Sequence, residues 1–211
     1  MITLVRVKNL LLSPLIRLSI RHPSLQESKL FLMAMACFPA KIAKTYDQRL
    51  SKDRETYQEP IRAALAWLSD SHTTILDLGC GTGVGTILAS DRFPEASITA
   101  VDKSPEMIKL CKQKVQEQKS NTILCEVADA RALPYPDGSF SLVLSSNAPV
   151  YLEEAVRVLK PYGTVVYVFS FAAKPFLQEE GTIKKLMETN GLQLVYLGST
   201  KKGVYLIGKR T

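Results

Sequence analysis

The stretch ILDLGCGTGVG, Ile75 to Gly85, sets four glycines into seven positions behind a short apolar run that holds one acid, Asp77. Glycine permits positive φ and lets another group reach the backbone amides without meeting a Cβ. Thr74–Leu78 reads as a buried strand, the glycines as a turn, and the residues after them as the start of a helix. A turn of that kind lies at the carboxyl edge of an open α/β sheet, where ligands bind. The helix beyond it adds unpaired N–H groups and a partial positive charge.

Outward from this stretch the texture alternates. Apolar β-type runs stand at Thr74–Leu78, Ser97–Val101, Thr122–Val127, Phe140–Ser145 and Gly163–Phe171. Helical patterns at Gly85–Asp91, Pro105–Gln118 and Leu152–Leu159 separate them. Strands alternating with helices imply parallel βαβ units, with right-handed crossovers and helices on both faces of the sheet. After a helix at Gly181–Asn190, two strands, Leu192–Gly198 and Gly203–Lys209, are separated only by Ser199 to Lys202. So short a link joins antiparallel strands. The expected fold is α/β: a Rossmann-like, doubly wound, mostly parallel sheet ending in an antiparallel hairpin, with an N-terminal helical lid. We expect residues 1–70 to form that helical extension and 71–211 the ligand-binding domain, with a helix starting around Gln58 to Ile61 and running to Trp67 and Leu68.

Composition narrows the classes. The 211 residues fit one domain with a small appendage, and 46% hydrophobic against 22% charged residues is a globular balance. A net charge of +7 permits an anionic partner without requiring one. No basic stripe with interleaved aromatics points to nucleic acid. The four cysteines, Cys37, Cys80, Cys111 and Cys125, and the two histidines, His22 and His72, show no ligand spacing, so neither a metal site nor a disulfide framework is expected. Reduced thiols fit a cytoplasmic protein. No apolar run is long enough for a membrane-spanning helix.

The spacing of the glycines separates two nucleotide chemistries. A dinucleotide fingerprint beginning at Gly79 and Gly81 would need glycine where Val84 stands. The pattern is Asp77, Gly79, Gly81, Gly83 instead, with an acid at the strand end that repels a pyrophosphate but suits an ammonium or sulfonium. Asp77 could equally cap the following helix. The second strand ends in Asp102, about 20 residues on, where a carboxylate can accept both ribose hydroxyls. Ser104 and Pro105 then start a helix as cap and first residue. The third strand leads to Asp129 and Ala130, an acid able to accept from an exocyclic adenine amine beside an apolar wall.

Together ILDLGCGTG, VDKSPEMI, DARALPYPDGSFSLVLSS and RVLKPYG resemble the class I S-adenosylmethionine-dependent methyltransferases, above all their small-molecule and quinone-type group, over roughly Ile42 to Arg210. The resemblance implies a seven-stranded sheet with its last strand antiparallel. It implies S-adenosyl-L-methionine as cofactor, S-adenosyl-L-homocysteine as product, no metal, and a small-molecule methyl acceptor. Carried over by position, Asp77, Gly79, Gly81 and Gly83 hold the methionine part, Asp102 the ribose, and Asp129 with Ala130 the adenine. Cys80, Lys103, Met107 and Ser145 fall in the same cofactor set, although Lys103 could point into solvent and Cys80 could simply fill a crowded turn.

For the acceptor, position alone selects Asn147 and Tyr151 after the fourth strand, and Tyr46 in KIAKTYDQRL, similar to the family's pre-domain helix. The SNAPVY sequence only faintly echoes the loop of nitrogen methyltransferases. Two departures stand out: the link from Ser145 to Arg157 is shorter than usual, and Tyr162 replaces a glycine in LKPYG. A shortened wall implies either a shallow site or one completed by the N-terminal third. That third opens with Leu4, Val7, Leu11, Leu15 and Leu18 on one helical face and Arg6, Ser13, Arg17 and Arg21 on the other. A packed lid, peripheral contact with an anionic membrane and an organellar targeting peptide all fit it. Methylation of RNA or protein, and cofactor binding without transfer, remain as other functions.

Overall fold

Seven strands form one sheet in the order β3-β2-β1-β4-β5-β7-β6. The computed structural model describes residues 54–69, 72–118, 122–170, 173–201 and 203–211, with Leu18, Arg21 and His22. Helix α1 (Arg54–Trp67) leads to β1 (Thr74–Leu78), α2 (Val84–Arg92), β2 (Ser97–Asp102), α3 (Pro105–Glu117), β3 (Ile123–Val127) and β4 (Phe140–Ser146). Then follow α4 (Leu152–Val158), β5 (Leu159–Phe169), α5 (Ala173–Gln178), α6 (Glu180–Thr189), β6 (Leu192–Ser199) and β7 (Val204–Arg210). Only β7 runs against its neighbours, pairing antiparallel with both β5 and β6. The expected doubly wound sheet with a terminal hairpin is therefore present. The chain reverses its direction of winding between β1 and β4, which opens a crevice at their carboxyl ends.

Alternation of side chains divides the core between the two faces. Ile75, Leu142, Leu144, Val166 and Ile207 pack with Ile61, Ala64 and Leu65 of α1 and with Leu88 and Ala89 of α2. On the other face Leu76, Leu78, Val143 and Val165 meet Ala155 and Val158 of α4, Phe176 of α5, and Ile183 and Met187 of α6. Each such aliphatic side chain contributes about 1.5–3 kcal/mol on burial. Ile61, Ala64 and Leu65 of α1 thus share the core of the sheet.

Local differences from the sequence reading have physical causes. Helix α1 begins at Arg54 rather than near Gln58, so Pro60 lies inside it. The buried Pro60 ring rests against the bare backbone of Gly203, whose Cβ would come within 2.7 Å of it. Strand β5 starts at Leu159, four residues before the expected Gly163. Tyr162, not Gly163, takes the left-handed conformation there, with φ 60° and 75% exposure. The short α5, with Pro175 in its first turn, has no counterpart among the expected helices.

Two ties join distant segments. Glu179, between α5 and α6, is almost fully buried and receives Arg21 Nε at 3.0 Å and Nη2 at 2.8 Å. The Thr182 hydroxyl donates to the same carboxylate at 3.1 Å. Leu18 accepts the His22 N–H at 2.8 Å, one helical turn beside the Arg21 anchor. The rest of the N-terminal amphipathic pattern, with Tyr46 and Cys37, lies outside the described residues. In the second tie, Arg157 of α4 binds Glu154, Asp137 and the carbonyls of Leu133 and Tyr135, bracing the loop after β3.

Candidate functional site

The glycine turn is wound onto the tip of β2. Gly79 and Cys80 both donate their N–H groups to the Val101 carbonyl at 2.9 Å. Gly81 donates to Asp102 Oδ2 at 3.0 Å, and Ser104 N–H to Oδ1 at 2.9 Å. Both Asp102 oxygens are thus oriented by backbone, and each keeps further acceptor capacity. The Ser104 hydroxyl accepts from Met107 N–H at 3.3 Å and caps α3.

Three of the four glycines are bare because the protein itself crowds them. A Cβ on Gly79 would stand 2.6 Å from Ala148 Cβ, one on Gly83 2.6 Å from Cys111 Sγ, and one on Gly85 3.3 Å from Asp77 Oδ2. Gly81 alone of the turn, at φ 54°, has none of the described residues within 4 Å of that position. It is the point at which a ligand can lie against the backbone.

Asp77 is buried beneath the turn, at 1% exposure. Thr86 of α2 donates its hydroxyl to Oδ2 at 2.6 Å, and a backbone hydrogen bond from Thr86 adds to it at the same carboxyl. Burial pushes it up to about 7, against the lowering effect of the Thr86 hydrogen bond, and the nearby Asp102 charge adds to the rise. A cation above the turn would favour its ionised form.

Asp129 stands at the tip of β3. Asp102 pairs with Val127, so Asp129 lies two residues, on the order of 6–7 Å, further along the neighbouring strand. Arg131 Nε and Nη2 grip its carboxylate at 3.0 and 2.5 Å, and Arg131 N–H donates at 3.0 Å. That guanidinium holds the carboxyl down to about 2. Ala130 is half-buried and packs against the α4–α6 face of the core, while Lys103 is exposed and Met107 half-buried in the first turn of α3.

Cys80 faces inward. It joins Cys111 and Cys125 in one buried cluster with Ala100, Ile108 and Val115, and the Cys111 and Cys125 sulfurs approach to 3.4 Å. Residues that look scattered in sequence thus converge under the turn, where Cys111 fills the space Gly83 leaves. Among the described residues no group of side chains has the arrangement of a metal site. His72 lies at the opposite edge of the sheet, half-buried and edge-on to Phe93.

The β4–β5 side is built differently. Asn147 adopts a left-handed conformation at φ 55°, which asparagine tolerates. Its Nδ2 lies 2.7 Å from the Tyr57 hydroxyl and 3.2 Å from the Ser146 and Ser170 hydroxyls. Its Oδ1 accepts the Ser170 N–H at 2.8 Å, and the Ser170 hydroxyl donates to the Tyr57 carbonyl at 2.8 Å. The Asn147 amide is thus engaged in tying α1 to the tips of β4 and β5. Tyr151 precedes α4, its carbonyl accepting the Ala155 N–H at 3.1 Å. Tyr57, Ser170 and Arg131 escaped the sequence reading; their types and spacings carry no signature, and only the fold brings them to the crevice.

Acids at neighbouring strand tips, a third acid below, and an unobstructed glycine backbone fit a nucleoside that carries a cationic amino-acid tail. Comparison with known proteins agrees with this class. Residues 75–163 match the family model described as "Methyltransferase domain". The fold is shared with a solved structure described as a SAM-dependent methyltransferase from Aquifex aeolicus, which superposes with TM-score 0.69 at 18% identity, over 82% of this chain and 100% of that one. Over 100 residues the chain is 38% identical to malonyl-[acyl-carrier protein] O-methyltransferase of Halorhodospira halophila, covering 44% of this chain and 33% of that protein. Over 104 residues it is 34% identical to demethylmenaquinone methyltransferase of Listeria welshimeri, covering 46% and 44%. The chain therefore spans less than half the length of these curated relatives.

Proposed function

We propose that this chain transfers a methyl group from S-adenosylmethionine to a small, apolar or ring-containing acceptor. The observation that carries the proposal is the open Gly81 backbone flanked by the Asp102 and Asp129 carboxylates at successive strand tips. When bound, S-adenosylmethionine supplies an electrophilic methyl group on its sulfonium. Asp102, oriented by two backbone N–H groups, offers its remaining lone pairs to the ribose hydroxyls. Asp129, fixed by Arg131, accepts from the adenine amine, and Ala130 borders the ring. Asp77 balances the positive charge from beneath the turn.

Methyl transfer is an in-line displacement, so alignment and exclusion of water can supply much of the acceleration, up to about 7–11 kcal/mol. The chain's part is to orient both partners across the crevice. Engagement of the Asn147 amide with Tyr57 and Ser170 leaves this loop poorly equipped to anchor a polar amine, which supports an apolar acceptor. The Arg21–Glu179 pair sets Arg21 against the carboxylate between α5 and α6, which supports the lid reading of the N-terminal segment. No helix of the described residues is long and apolar enough to cross a membrane. The working location is cytoplasmic, with the acceptor met in solution or at a membrane surface.

The test is transfer of a labelled methyl group from S-adenosylmethionine to a panel of phenolic, quinol, carboxylate, amine, RNA and protein acceptors. Incorporation into a phenolic, quinol or carboxylate acceptor is expected. Incorporation only into RNA or protein, or tight cofactor binding with no incorporation anywhere, would contradict it.

A further inference from the structure

Among the described residues, two buried hydroxyl groups have no hydrogen-bond partner: Ser145 Oγ and the Tyr167 hydroxyl. Ser145 is 1% exposed and Tyr167 3%. They are not independent accidents. Ser145 on β4 pairs directly with Tyr167 on β5, so the two side chains rise from neighbouring strands on the same face of the sheet. Otherwise their row is apolar: Tyr167 is flanked on its other side by Leu206, and Leu78 and Val101 continue the row towards β2.

Buried polar groups in folded proteins are nearly always paired, and one left without a partner costs the full loss of its hydration. Two such residues at paired positions in an apolar row mark a place where a polar atom is wanted. The position fits a ligand. Ser145 is the next-to-last residue of β4, and Tyr167 lies two residues before the end of β5, just beneath the crevice. The loops leaving the strand tips send partly buried apolar side chains to this face: Ala130, Val150, Leu152 and Ala173. Burial raises the Tyr167 hydroxyl well above the usual phenol range, so it stays protonated and able to donate.

We infer that Ser145 and Tyr167 form an oxygen-recognition subsite for the methyl acceptor, which is an apolar molecule bearing a hydroxyl or carbonyl oxygen. This rests on the methyltransferase reading and adds to it the acceptor's chemical class. Tyr167 donates to the acceptor oxygen, Ser145 donates or accepts beside it, and the apolar surround takes the carbon skeleton. An oxygen-bearing ring is thereby selected over the bare hydrocarbon, because a hydrocarbon leaves both hydroxyls unsatisfied. Tyr167 acts here as a specificity-determining residue.

The experiment compares 1-naphthol with naphthalene as probes, by equilibrium titration of the full chain with and without saturating S-adenosylhomocysteine. At least tenfold tighter binding of 1-naphthol is expected. Tyr167→Phe should abolish that preference and Ser145→Ala should reduce it. Tyr167→Phe should leave the S-adenosylhomocysteine Kd within about twofold and the Tm unchanged or higher, since an unpaired buried hydroxyl has been removed. Equal binding of both probes to the wild-type chain would overturn the inference, as would a preference that survives in the double variant. A fall in Tm for Tyr167→Phe would overturn it too, by revealing that the hydroxyl already has a partner in the protein. Absence of S-adenosylhomocysteine binding strikes the cofactor reading alone, because the probes are also compared without it.

Discussion

On the β1–β3 side of the crevice the polar ties are short in sequence and run between carboxylates and backbone: Gly81 to Asp102 across 21 residues, Ser104 to Asp102 and Arg131 to Asp129 across two each. On the β4–β5 side they span the chain: Asn147 reaches Tyr57 across 90 residues, and Ser170 reaches Tyr57 across 113. The first side is assembled by strand–turn–helix units that carry their own site residues. The second exists only after α1 has docked against the tips of β4 and β5. A ligand common to many enzymes suits the first construction, and an acceptor particular to one enzyme suits the second, since its wall can change without disturbing the glycine turn.

The comparison breaks most readily at Asp102. Asp102→Ala removes two backbone ties and the ribose acceptor together, and S-adenosylhomocysteine affinity should fall about 100-fold, as expected for a net loss of charge-assisted hydrogen bonding worth ~1.5–3 kcal/mol in all. Asp102→Asn should lose less. Calorimetry of the two variants, alongside circular dichroism to verify folding, provides the readout.

Asn147→Ala attacks the other side. It deletes the tie to Tyr57 and Ser170 and forces alanine into a left-handed conformation, at a cost of about 1–2 kcal/mol for the backbone alone. Asn147→Gly should spare that backbone cost and lose only the side-chain bonds, so denaturant midpoints should rank wild type, Gly, Ala. Acceptor KM should rise in both while cofactor Kd changes little. Equal damage to both constants would erase the distinction between the two sides.

Asp77 gives the cofactor side a pH signature. Its folded-state carboxyl lies at about 7 against 3.8 unperturbed, so the folded chain holds an extra proton between those values. Its contribution to stability is therefore most favourable below 3.8 and is lost as pH rises towards 7. Cofactor binding runs the opposite way, because a cation favours the carboxylate: affinity should improve between pH 5 and 7, by at most about tenfold per unit. Asp77→Asn should flatten the profile. A wild-type profile as flat as the variant's would remove Asp77 from cofactor recognition.

Smaller effects belong to the periphery. Arg21→Ala should lower Tm by leaving the buried Glu179 carboxylate less well compensated, and Glu179→Gln in the same chain should recover part of the loss. Tyr162→Gly should raise stability by about 1 kcal/mol, since glycine holds the left-handed conformation without a Cβ penalty.

How much of this was legible in the sequence follows the same division. The alternation of strands and helices, the terminal hairpin, and the acids at strand ends are local patterns, so Asp77, Asp102 and Asp129 can be read directly. Their differing environments cannot: nothing in the sequence says that Asp77 is sealed under the turn while Asp102 edges the crevice. Nor does a glycine reveal what stands against it. Of the four between Gly79 and Gly85 only Gly81 has none of the described residues against it, the others being bare for Ala148, Cys111 and Asp77. The meeting of Tyr57, Asn147 and Ser170, the thiol cluster and the Arg21–Glu179 pair depend on contacts between residues far apart in the chain, which no single-sequence periodicity encodes.

The central claim is that the open backbone at Gly81, with Asp102 and Asp129, holds an adenosyl amino acid. Its most direct test is calorimetric titration of the wild-type chain with S-adenosylhomocysteine, in parallel with adenosine and with NAD. One site is predicted, binding S-adenosylhomocysteine at micromolar Kd, adenosine more weakly and NAD more weakly still. No heat with S-adenosylhomocysteine at millimolar concentration, or tighter binding of NAD, would contradict the account.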